Sequence, residues 1–485
     1  MSSPAADAKL PPFQLLKEPV LSFSPDDERS RDLHPLRGLE KFGPFSRLSF
    51  TAYTPTLRVA VVGPKAGWDR VVVLMKLIQQ PQMPTDRKDY VPRYPGFQEL
   101  FGIPIHAASQ SAHILWPDSI DELPFDGSQE DRLSAAFRNA LSRLELVKSE
   151  FDVVVVHLPD TWGHVLKTDS FNAHDVLKAF GAGFNIPTQV INDRAFAFSE
   201  TSAASIAWRL SIALYVKAGG IPWKLAPMSG VPAGTAYIGL AYALRKHGEG
   251  THYVTCCSQV FDMDGGGMQF VAFEARDPVS NIAEAKRNPF LSRVDMRAVI
   301  ARSLQIYQTR NGGTLPRRLV IHKTTTFHSE EIQGAREATA GIPEFECIEI
   351  GSNTAWRGVW MVASPSGPKA TKPDGYPVPR CILQARSEIA CFVWVAGNAP
   401  GASTRGAYYQ GGKSIPRPIV MTRHVGSGPL DLIAHEALAL TKMDWNNDAL
   451  YDPVPVTIRY SQRLARTIAN VPDLPGSTYP YRLFM

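Results

Sequence analysis

The first half of the chain alternates apolar runs with stretches of helical periodicity. Near-continuous apolar runs occur in LRVAVVGP (residues 57–64) and in FDVVVVHLPD (residues 151–160). Apolar residues recur at helical spacing in residues 170–184 and 202–217, and the strand-like IPTQVIND lies between them. Strands that are apolar on both faces and alternate with helices are typical of a parallel sheet covered on both sides. The pattern therefore predicts an α/β domain with a Rossmann-like parallel sheet at residues 55–225.

The second half begins with strands that follow one another directly. TAYIGLAYAL (residues 235–244) precedes THYVTCCSQVFD and GMQFVAFEARD, which flank the glycine-rich turn MDGGG. We expect a helix at about 290–309, then the strand RRLVIHK, a helix capped by Ser329 and the strand FECIEI, with two more helices between residues 427 and 468. A strand meander followed by alternating strands and helices is the order of ribonuclease H-like folds. The pattern therefore predicts a second α/β domain at residues 226–485.

The N-terminal part has a different character. Residues 1–54 are rich in proline, serine and charge and contain only scattered aromatic residues. Such a segment does not bury a core of its own. We expect it to be extended and to dock along the surface of a partner protein.

The composition is that of an ordinary globular protein. The chain has 485 residues, of which 44% are hydrophobic and 20% are charged, and its formal net charge is +5. The five cysteines show no metal-ligand spacing, and the first residues lack the pattern of a signal peptide. No apolar run approaches the roughly 20 residues of a membrane span. These features predict a cytoplasmic protein without a membrane partner.

Positive charge is concentrated in one part of the second domain. Between residues 286 and 323 the only acidic residue is Asp295. The same stretch contains nine basic residues, namely Lys286, Arg287, Arg293, Arg297, Arg302, Arg310, Arg317, Arg318 and Lys323. Such a run is either a solvated helix face or a surface for the phosphate backbone of a nucleic acid. We expect the second function, carried by Arg293, Arg297, Arg302, Arg310 and Lys323.

A lysine ends the helical stretch in LYVKAGGIPW. Lys217 is followed by Gly219 and Gly220, which suits a helix end where a glycine adopts the left-handed conformation and the lysine complements the helix dipole. The alternative interpretation is that Lys217 binds an anion.

Three more polar residues bear on that alternative. His174 and Lys178 are four residues apart in HDVLK, on one side of a helix, and Gln189 lies in the strand that follows. Taken singly, each fits an ordinary surface or turn residue. Together with Lys217 they would supply two cations, an imidazole and an amide, a set that suits a terminal phosphate.

The order HDVLK, PTQ, YVKAGG resembles the pocket of Argonaute MID domains, which holds the 5′-phosphate of a guide strand. RRLVIHKTT, LTKMDWNN and PVPVTIRYSQRLA resemble the PIWI domain that follows. The resemblance covers residues 55–485 and leaves no space for N and PAZ domains, so it is to a short prokaryotic Argonaute. It implies that His174, Lys178, Gln189 and Lys217 bind the guide 5′-phosphate.

The resemblance is incomplete at one position of this pocket. A second lysine is often found four residues before the lysine of the motif, where this chain has Ala213. A divalent ion, Mg²⁺, would supply the missing charge. In Argonautes the C-terminal residues of the protein lie in this pocket. The resemblance therefore implies that the C-terminal carboxylate of Met485 contacts the phosphate and the metal.

The resemblance also implies that the nuclease site of the PIWI domain is lost. A ribonuclease H-like nuclease holds two metal ions with carboxylates, but Ala241, Lys323 and Arg463 occupy the corresponding positions. Asp262 and Asp264 are nearby, but they belong to the hairpin turn, where aspartate is common for backbone reasons. We therefore expect a chain that is not an enzyme and that binds a duplex without cutting it, with Lys323 and Arg463 contacting phosphates.

Short Argonautes of this kind resemble the sensing half of two-protein immune systems. The resemblance implies a small guide RNA, invading single-stranded DNA as target, and a partner that joins an APAZ region to an NAD-depleting effector, sirtuin-like rather than TIR-type. NAD depletion would kill or arrest the cell. Two other functions stay open at this point: an active guided nuclease, and an α/β regulator that binds a small molecule.

Overall fold

This computed structural model describes the greater part of the chain. The described residues are 13–46, 56–84, 91–196, 203–247, 250–262, 265–274, 290–352, 354–359, 361–363, 371–373, 378–399, 401–402, 415–446, 449–471 and 478–485. Three residues of the sequence analysis, Asp264, Lys286 and Arg287, lie outside them. None of the helices in the described part combines the length and the apolar composition that a bilayer span requires.

The N-terminal residues fold onto the body of this same chain. Their elements are β1 (Phe13–Leu15), β2 (Leu21–Ser22), β3 (Arg31–Asp32) and α1 (Pro35–Phe42). Four apolar side chains of this part are at most 1% exposed: Leu21, Phe23, Leu36 and Leu39. The expectation of an extended segment is therefore wrong for residues 13–46, because a few apolar residues spaced along it find their core in the following domains.

A five-stranded parallel sheet forms the first domain. Its elements are β4 (Leu57–Pro64), α2 (Trp68–Gln79), α3 (Phe97–Phe101), β5 (Ile105–Ala107), β6 (His113–Trp116), α4 (Gln129–Glu145), β7 (Val153–His157), α5 (Gly163–Leu166), α6 (Ala173–Gly183), β8 (Thr188–Ile191) and α7 (Ala203–Lys217). The strand order is β5–β4–β7–β8, and β6 pairs with the second half of β4. All pairs are parallel, as the apolar runs predict.

The second domain is built on a larger, mixed sheet. Its elements, with the preceding β9 (Lys224–Leu225), are β10 (Thr235–His247), β11 (Gly250–Asp262), β12 (Gly267–Glu274), α8 (Arg293–Arg310), β13 (Arg318–Lys323), α9 (Ser329–Ala338), β14 (Glu344–Gly351), β15 (Met361–Ala363), β16 (Thr371–Pro373), β17 (Ile382–Ala385), β18 (Ala390–Val393), β19 (Ile419–Val425), α10 (Leu430–Leu440), α11 (Val456–Asn470) and β20 (Thr478–Pro480). The large sheet runs β1–β17–β18–β19–β14–β13–β10–β11–β12–β20. β9 pairs with β2, outside this sheet.

The centre of this sheet has the predicted ribonuclease H-like order. β10, β11 and β12 form an antiparallel meander, and β13 and β14 then pair in parallel with β10 and with each other. The helix that follows β13 begins one residue earlier than predicted, since its N-cap is His328 rather than Ser329. The backbone N–H of His328 donates to Glu331 at 3.0 Å, which fixes this helix start.

Helix α11 joins the two domains. It lies directly on β10, because Gly239 has no side chain: a Cβ there would lie 2.0 Å from the carbonyl oxygen of Thr457. On its other side α11 reaches α6, where the buried carboxylate of Asp175 accepts hydrogen bonds from Asn470 at 2.6 Å and Thr467 at 3.4 Å. This contact brings the end of α11 to the carboxyl edge of the parallel sheet.

Candidate anion-binding pocket

A cavity of about 680 Å³ opens at the carboxyl ends of β7 and β8. Residues that follow these strands line it, together with α6, α7 and the chain end. His174, Lys178, Gln189 and Met485 are among its lining residues, as is Ala213. The carboxyl edge of a parallel sheet is where α/β domains usually bind ligands. Four of the five residues predicted for one anion site therefore share one cavity.

Lys217, the fifth, lies one hydrogen bond behind the cavity wall. Its side chain is completely buried, and its Nζ donates to Oε1 of Gln189 at 2.8 Å. The helix end has the predicted glycine cap: Gly219 has φ of +108°, and the Gly220 N–H donates to the Tyr215 carbonyl at 3.0 Å. The two interpretations of this motif are thus compatible, because the glycines end the helix while the lysine points into the domain.

The other two predicted ligands come from α6. Lys178 is 2% exposed, and its Nζ donates to the backbone carbonyl of Thr188 at 2.5 Å. The His174 side chain is 45% exposed, and its Nδ1 lies 3.4 Å from Oδ1 of Asp175. The buried lysine and the open histidine therefore face the cavity from its floor and its mouth.

The structure adds a cation to this site that the sequence analysis placed elsewhere. Arg463 was expected at a lost nuclease position, in contact with a duplex. It lies instead on α11 close enough to the pocket that its charge lowers the pKa values of His174, Lys178 and Lys217. Its Nη1 is buried and has no hydrogen-bond partner. No local signal could have placed it there, because its position depends on the packing of α11 against α6.

Lys178, Lys217 and Arg463 bring more positive charge to this site than the neighbouring carboxylates offset. Burial lowers the pKa of Lys178 well below its usual value, and the charges of Lys217 and Arg463 add to the effect. Burial and the charge of Arg463 lower the pKa of Lys217 to about 7, against the opposing effect of Asp444. Among the described residues neither lysine has a carboxylate within ion-pair distance. A bound anion would restore the balance.

The basic stretch on α8 is less concentrated than the sequence analysis expected. Arg293 pairs with Glu337 of α9, and Arg297 Nη1 lies 3.5 Å from the same carboxylate, so acids outside the stretch oppose it. Arg302 and Arg310 are exposed, but at about 100° per residue Arg302 is turned roughly 140° from Arg297. Within the stretch, Arg318 is buried between Glu346 and Glu436. These arginines therefore do not form a single continuous face.

The expected phosphate contact by Lys323 is wrong. Its side chain is buried, and its Nζ lies 2.6 Å from Oε2 of Glu331, which is itself buried. Glu331 also accepts a hydrogen bond from the Tyr242 hydroxyl at 2.6 Å. Ala241 lies on β10, where its neighbour Leu240 pairs with Lys323. The described residues contain no group of three or more His, Cys, Asp or Glu side chains able to hold a metal ion.

Comparisons with known proteins point to one fold. No protein-family model matches the chain. In sequence, the chain is 22% identical over 465 residues to an Argonaute protein of Cereibacter sphaeroides, an alignment that covers 91% of this chain and 54% of that protein. In structure, it is similar to Clostridium butyricum Argonaute bound to a guide DNA and a 19-mer target DNA, with a TM-score of 0.68, 16% identity and coverage of 98% of this chain and 55% of that one.

Two further structures agree. The Argonaute of A. aeolicus gives a TM-score of 0.59 at 14% identity and Drosophila Piwi gives 0.62 at 13%, each with coverage of 97% of this chain. They are covered over 55% and 56% of their own lengths, so this chain spans about half the length of the proteins it matches. A parallel sheet followed by a ribonuclease H-like sheet is consistent with MID and PIWI domains. The chain therefore has an Argonaute fold.

Proposed function

We propose that this protein binds a short guide strand by its 5′-phosphate in the pocket that α6, α7 and the chain end line at the carboxyl ends of β7 and β8. The observation that carries the proposal is a group of three cations, the buried Lys178 and Lys217 and the half-buried Arg463, which has no carboxylate partner at ion-pair distance in the described part of the chain. A terminal phosphate carries up to about two negative charges and three acceptor oxygens at neutral pH, which suits such a group. The fold supports the proposal, since the C. butyricum Argonaute was solved with a guide DNA.

Each residue has a distinct part in this proposal. Lys178 donates to the phosphate from the floor of the cavity, and His174 donates from its mouth. Arg463 does not line the cavity and turns its guanidinium towards the phosphate from α11. Gln189 turns away from Lys217, so that its amide and the freed ammonium both reach the phosphate. Guide sequence is not read here, because end recognition needs only contacts to the phosphate.

A metal ion fits this pocket poorly. The described residues around it supply no cluster of carboxylates and imidazoles, and Met485 is the only residue of the sequence analysis offered as a ligand. Mg²⁺, if bound, would be held mainly by the phosphate itself. The binding steps proposed here rely on the side chains alone.

We further propose that the chain does not cut nucleic acid. A two-metal nuclease needs carboxylates that are free to bind cations, and Glu331 is engaged instead by Lys323, Tyr242 and the N–H of His328. Ala241 offers a methyl group where the resemblance implies an aspartate. The duplex of guide RNA and invading single-stranded DNA would then serve as a signal rather than a substrate.

The signal requires a second protein. By resemblance, the chain acts in the cytoplasm with a partner that joins an APAZ region to a sirtuin-like NAD-depleting effector, as part of an antiviral or antiplasmid defence. The exposed Arg302 and Arg310 are the described arginines of α8 best placed to contact duplex phosphates.

The test compares guides that differ only at the 5′ end. The double variant Lys178→Ala/Lys217→Ala is titrated with a labelled 5′-phosphorylated RNA and with the same RNA ending in a 5′-hydroxyl. Each charge-assisted contact is worth roughly 1.5–3 kcal/mol, so the phosphorylated guide should bind at least about a hundredfold more weakly than to the wild type, whereas the hydroxyl guide should change little. Equal losses for both guides would mean that the pocket is misassigned.

A matched control and two further measurements complete the test. Lys76→Ala/Lys148→Ala removes two exposed lysines of the same domain and should leave both affinities unchanged. Incubation of the loaded protein with a paired target and Mg²⁺ or Mn²⁺ should yield no product, and a cut opposite the middle of the guide would establish the active nuclease instead. If the protein purifies without nucleic acid and binds a metabolite, the alternative function of a small-molecule-binding regulator is favoured.

A further inference from the structure

We propose that the pocket binds its terminal phosphate together with protons from solvent, so that a rise in pH selectively weakens its hold on phosphorylated strands. This inference rests on the proposed function, because it concerns how the same pocket holds a 5′-phosphate. It goes beyond it by making pH a control on guide retention.

The geometry of the two lysines carries the inference. Lys178 and Lys217 are 2% and 0% exposed and come from different helices; Lys178 lines the cavity, and Lys217 lies behind Gln189, which lines it. The acceptors of their Nζ atoms are both uncharged, the carbonyl oxygen of Thr188 and the amide oxygen of Gln189. Burial with only an uncharged acceptor disfavours an ammonium group relative to the neutral amine. An empty pocket therefore favours neutral lysines.

Neighbouring carboxylates do not offset the free-energy cost of a positive charge on these two lysines. Asp175 is turned to α11, where Asn470 and Thr467 bind it. Asp444 is near Lys217 but accepts a hydrogen bond from the Tyr460 hydroxyl at 2.6 Å. Asp160 is exposed at the outer wall of the cavity. Met485 also lines the cavity, but its chain-end carboxylate is not within ion-pair distance of either lysine. Arg482 adds another positive charge, since its Nη1 donates to the Lys217 carbonyl at 3.3 Å.

The cations around the lysines oppose a second positive charge. Arg463 is close to both lysines, and its Nη1 is buried without an acceptor. Arg194 and Arg209 line the open side of the cavity, where solvent screens them. His174 at the mouth has a lowered pKa, because partial burial and the charges of Lys178 and Arg463 disfavour its protonated form, although its contact with Asp175 opposes this.

Phosphate binding reverses this balance. In the empty pocket the pKa of Lys217 is about 7 and that of Lys178 is lowered well below its usual value. A dianion within hydrogen-bond distance raises both, so a lysine that is neutral in the free protein takes up a proton on binding. The second pKa of a phosphate is about 6, so the ligand stays dianionic above about pH 7 and does not itself supply the effect. Affinity should therefore be greatest near neutral pH and fall above it.

The experiment measures the dissociation constants of a 5′-phosphorylated and a 5′-hydroxyl RNA across about pH 7 to 9 at constant ionic strength. Uptake of one proton weakens binding by about tenfold per pH unit, so the preference for the phosphorylated strand should fall by about a hundredfold over this range. The hydroxyl strand should show little change. A preference for phosphate that stays constant with pH would overturn the inference and leave the proposed function intact, whereas no preference at any pH would overturn the proposed function.

Two further measurements assign the proton. Calorimetry at about pH 8 in two buffers with different ionisation enthalpies should report uptake of about one to two protons for each phosphorylated strand bound, and zero uptake would overturn the inference. Lys217→Arg places a permanently charged group at this position and should make the pH profile less steep, with the remaining slope due to Lys178. Lys76→Arg, an exposed lysine of the same domain, is the matched control and should keep the slope.

Discussion

At the scale of residues, the buried cations of this protein fall into two groups. Lys323 and Arg318 each have buried carboxylates at ion-pair distance, Glu331 for the first and Glu346 and Glu436 for the second. Lys178 and Lys217 have only uncharged acceptors. A buried cationic residue with a carboxylate partner has a structural explanation, whereas one without such a partner is a candidate for an anion-binding site.

The first prediction concerns the paired group. Lys323→Met should lower the free energy of unfolding by about 3–5 kcal/mol, because it leaves the carboxylate of Glu331 buried without its cation. The double variant Lys323→Met/Glu331→Gln should recover much of the loss, which urea denaturation would measure. A single variant within about 1 kcal/mol of the wild type would show that the pair is not the buried ion pair described here.

The second prediction concerns Arg463, which the sequence analysis assigned to a duplex. Arg463→Ala should weaken binding of a 5′-phosphorylated RNA by about tenfold to a hundredfold, because one charge-assisted contact is lost. The 5′-hydroxyl RNA should be nearly unaffected in the same fluorescence anisotropy titration. Gln462→Ala, the exposed neighbour on α11, is the control. An equal loss of affinity for the 5′-phosphorylated and the 5′-hydroxyl RNA would show that Arg463 contacts backbone phosphates of the nucleic acid rather than the terminal phosphate.

At the scale of elements, the positions of helices and strands could be predicted, but most of their contacts could not. The apolar runs at β4 and β7 predicted the parallel sheet because strands buried on both faces have few polar positions. The site residues of α6, β8 and α7 could be grouped because they lie within 44 residues of one another, from His174 to Lys217.

The contacts that were missed join distant parts of the chain. Arg463 comes close to the two buried lysines through the packing of α11 on α6, and Glu337 and Glu331 reach α8 and β13 from α9. A count of charges along the sequence cannot show such pairs, because they depend on how the helices pack. The buried N-terminal residues were missed for the same reason, since their core lies in other domains.

The third prediction concerns the N-terminal elements. Glu18 lies between Arg380 and Lys442, at 2.7 Å from each, and both cations are buried. Glu18→Gln should lower the free energy of unfolding by about 3–5 kcal/mol, because two buried cations lose their carboxylate. Glu28→Gln removes an exposed carboxylate of the same segment and should change stability little. A loss as small as that of the control would contradict this account of how residues 13–46 are held.

The same group gives a pH dependence with a defined sign. Burial alone would raise the pKa of Glu18, but the charges of Arg380 and Lys442 overcome it and lower the pKa from 4.5 to about 2. A carboxyl group with a lowered pKa stabilises the fold above its unfolded-state value, and this contribution is lost as pH falls from about 4.5 towards 2. The difference in stability between wild type and Glu18→Gln should therefore shrink over this range.

At the scale of the whole molecule, two surfaces are proposed to act on one nucleic acid. The pocket holds the guide end, and the exposed arginines of α8 contact the duplex. The double variant Arg302→Ala/Arg310→Ala should weaken binding of a guide–target duplex by a similar factor for any sequence and make it less salt-dependent by roughly one unit of slope per lost contact. Arg293→Ala should have a smaller effect, because Glu337 already neutralises it. If the double variant binds the duplex with the same salt dependence as the wild type, Arg302 and Arg310 of α8 do not contact the duplex.

The most direct measurement is the position of the terminal phosphorus atom in a structure of the protein bound to a 5′-phosphorylated RNA. We expect phosphate oxygens at about 3 Å from Nζ of Lys178, Nζ of Lys217 and the guanidinium of Arg463, with the Gln189 side chain turned away from Lys217. A terminal phosphate found outside this cavity, with the Lys217–Gln189 hydrogen bond intact, would contradict it.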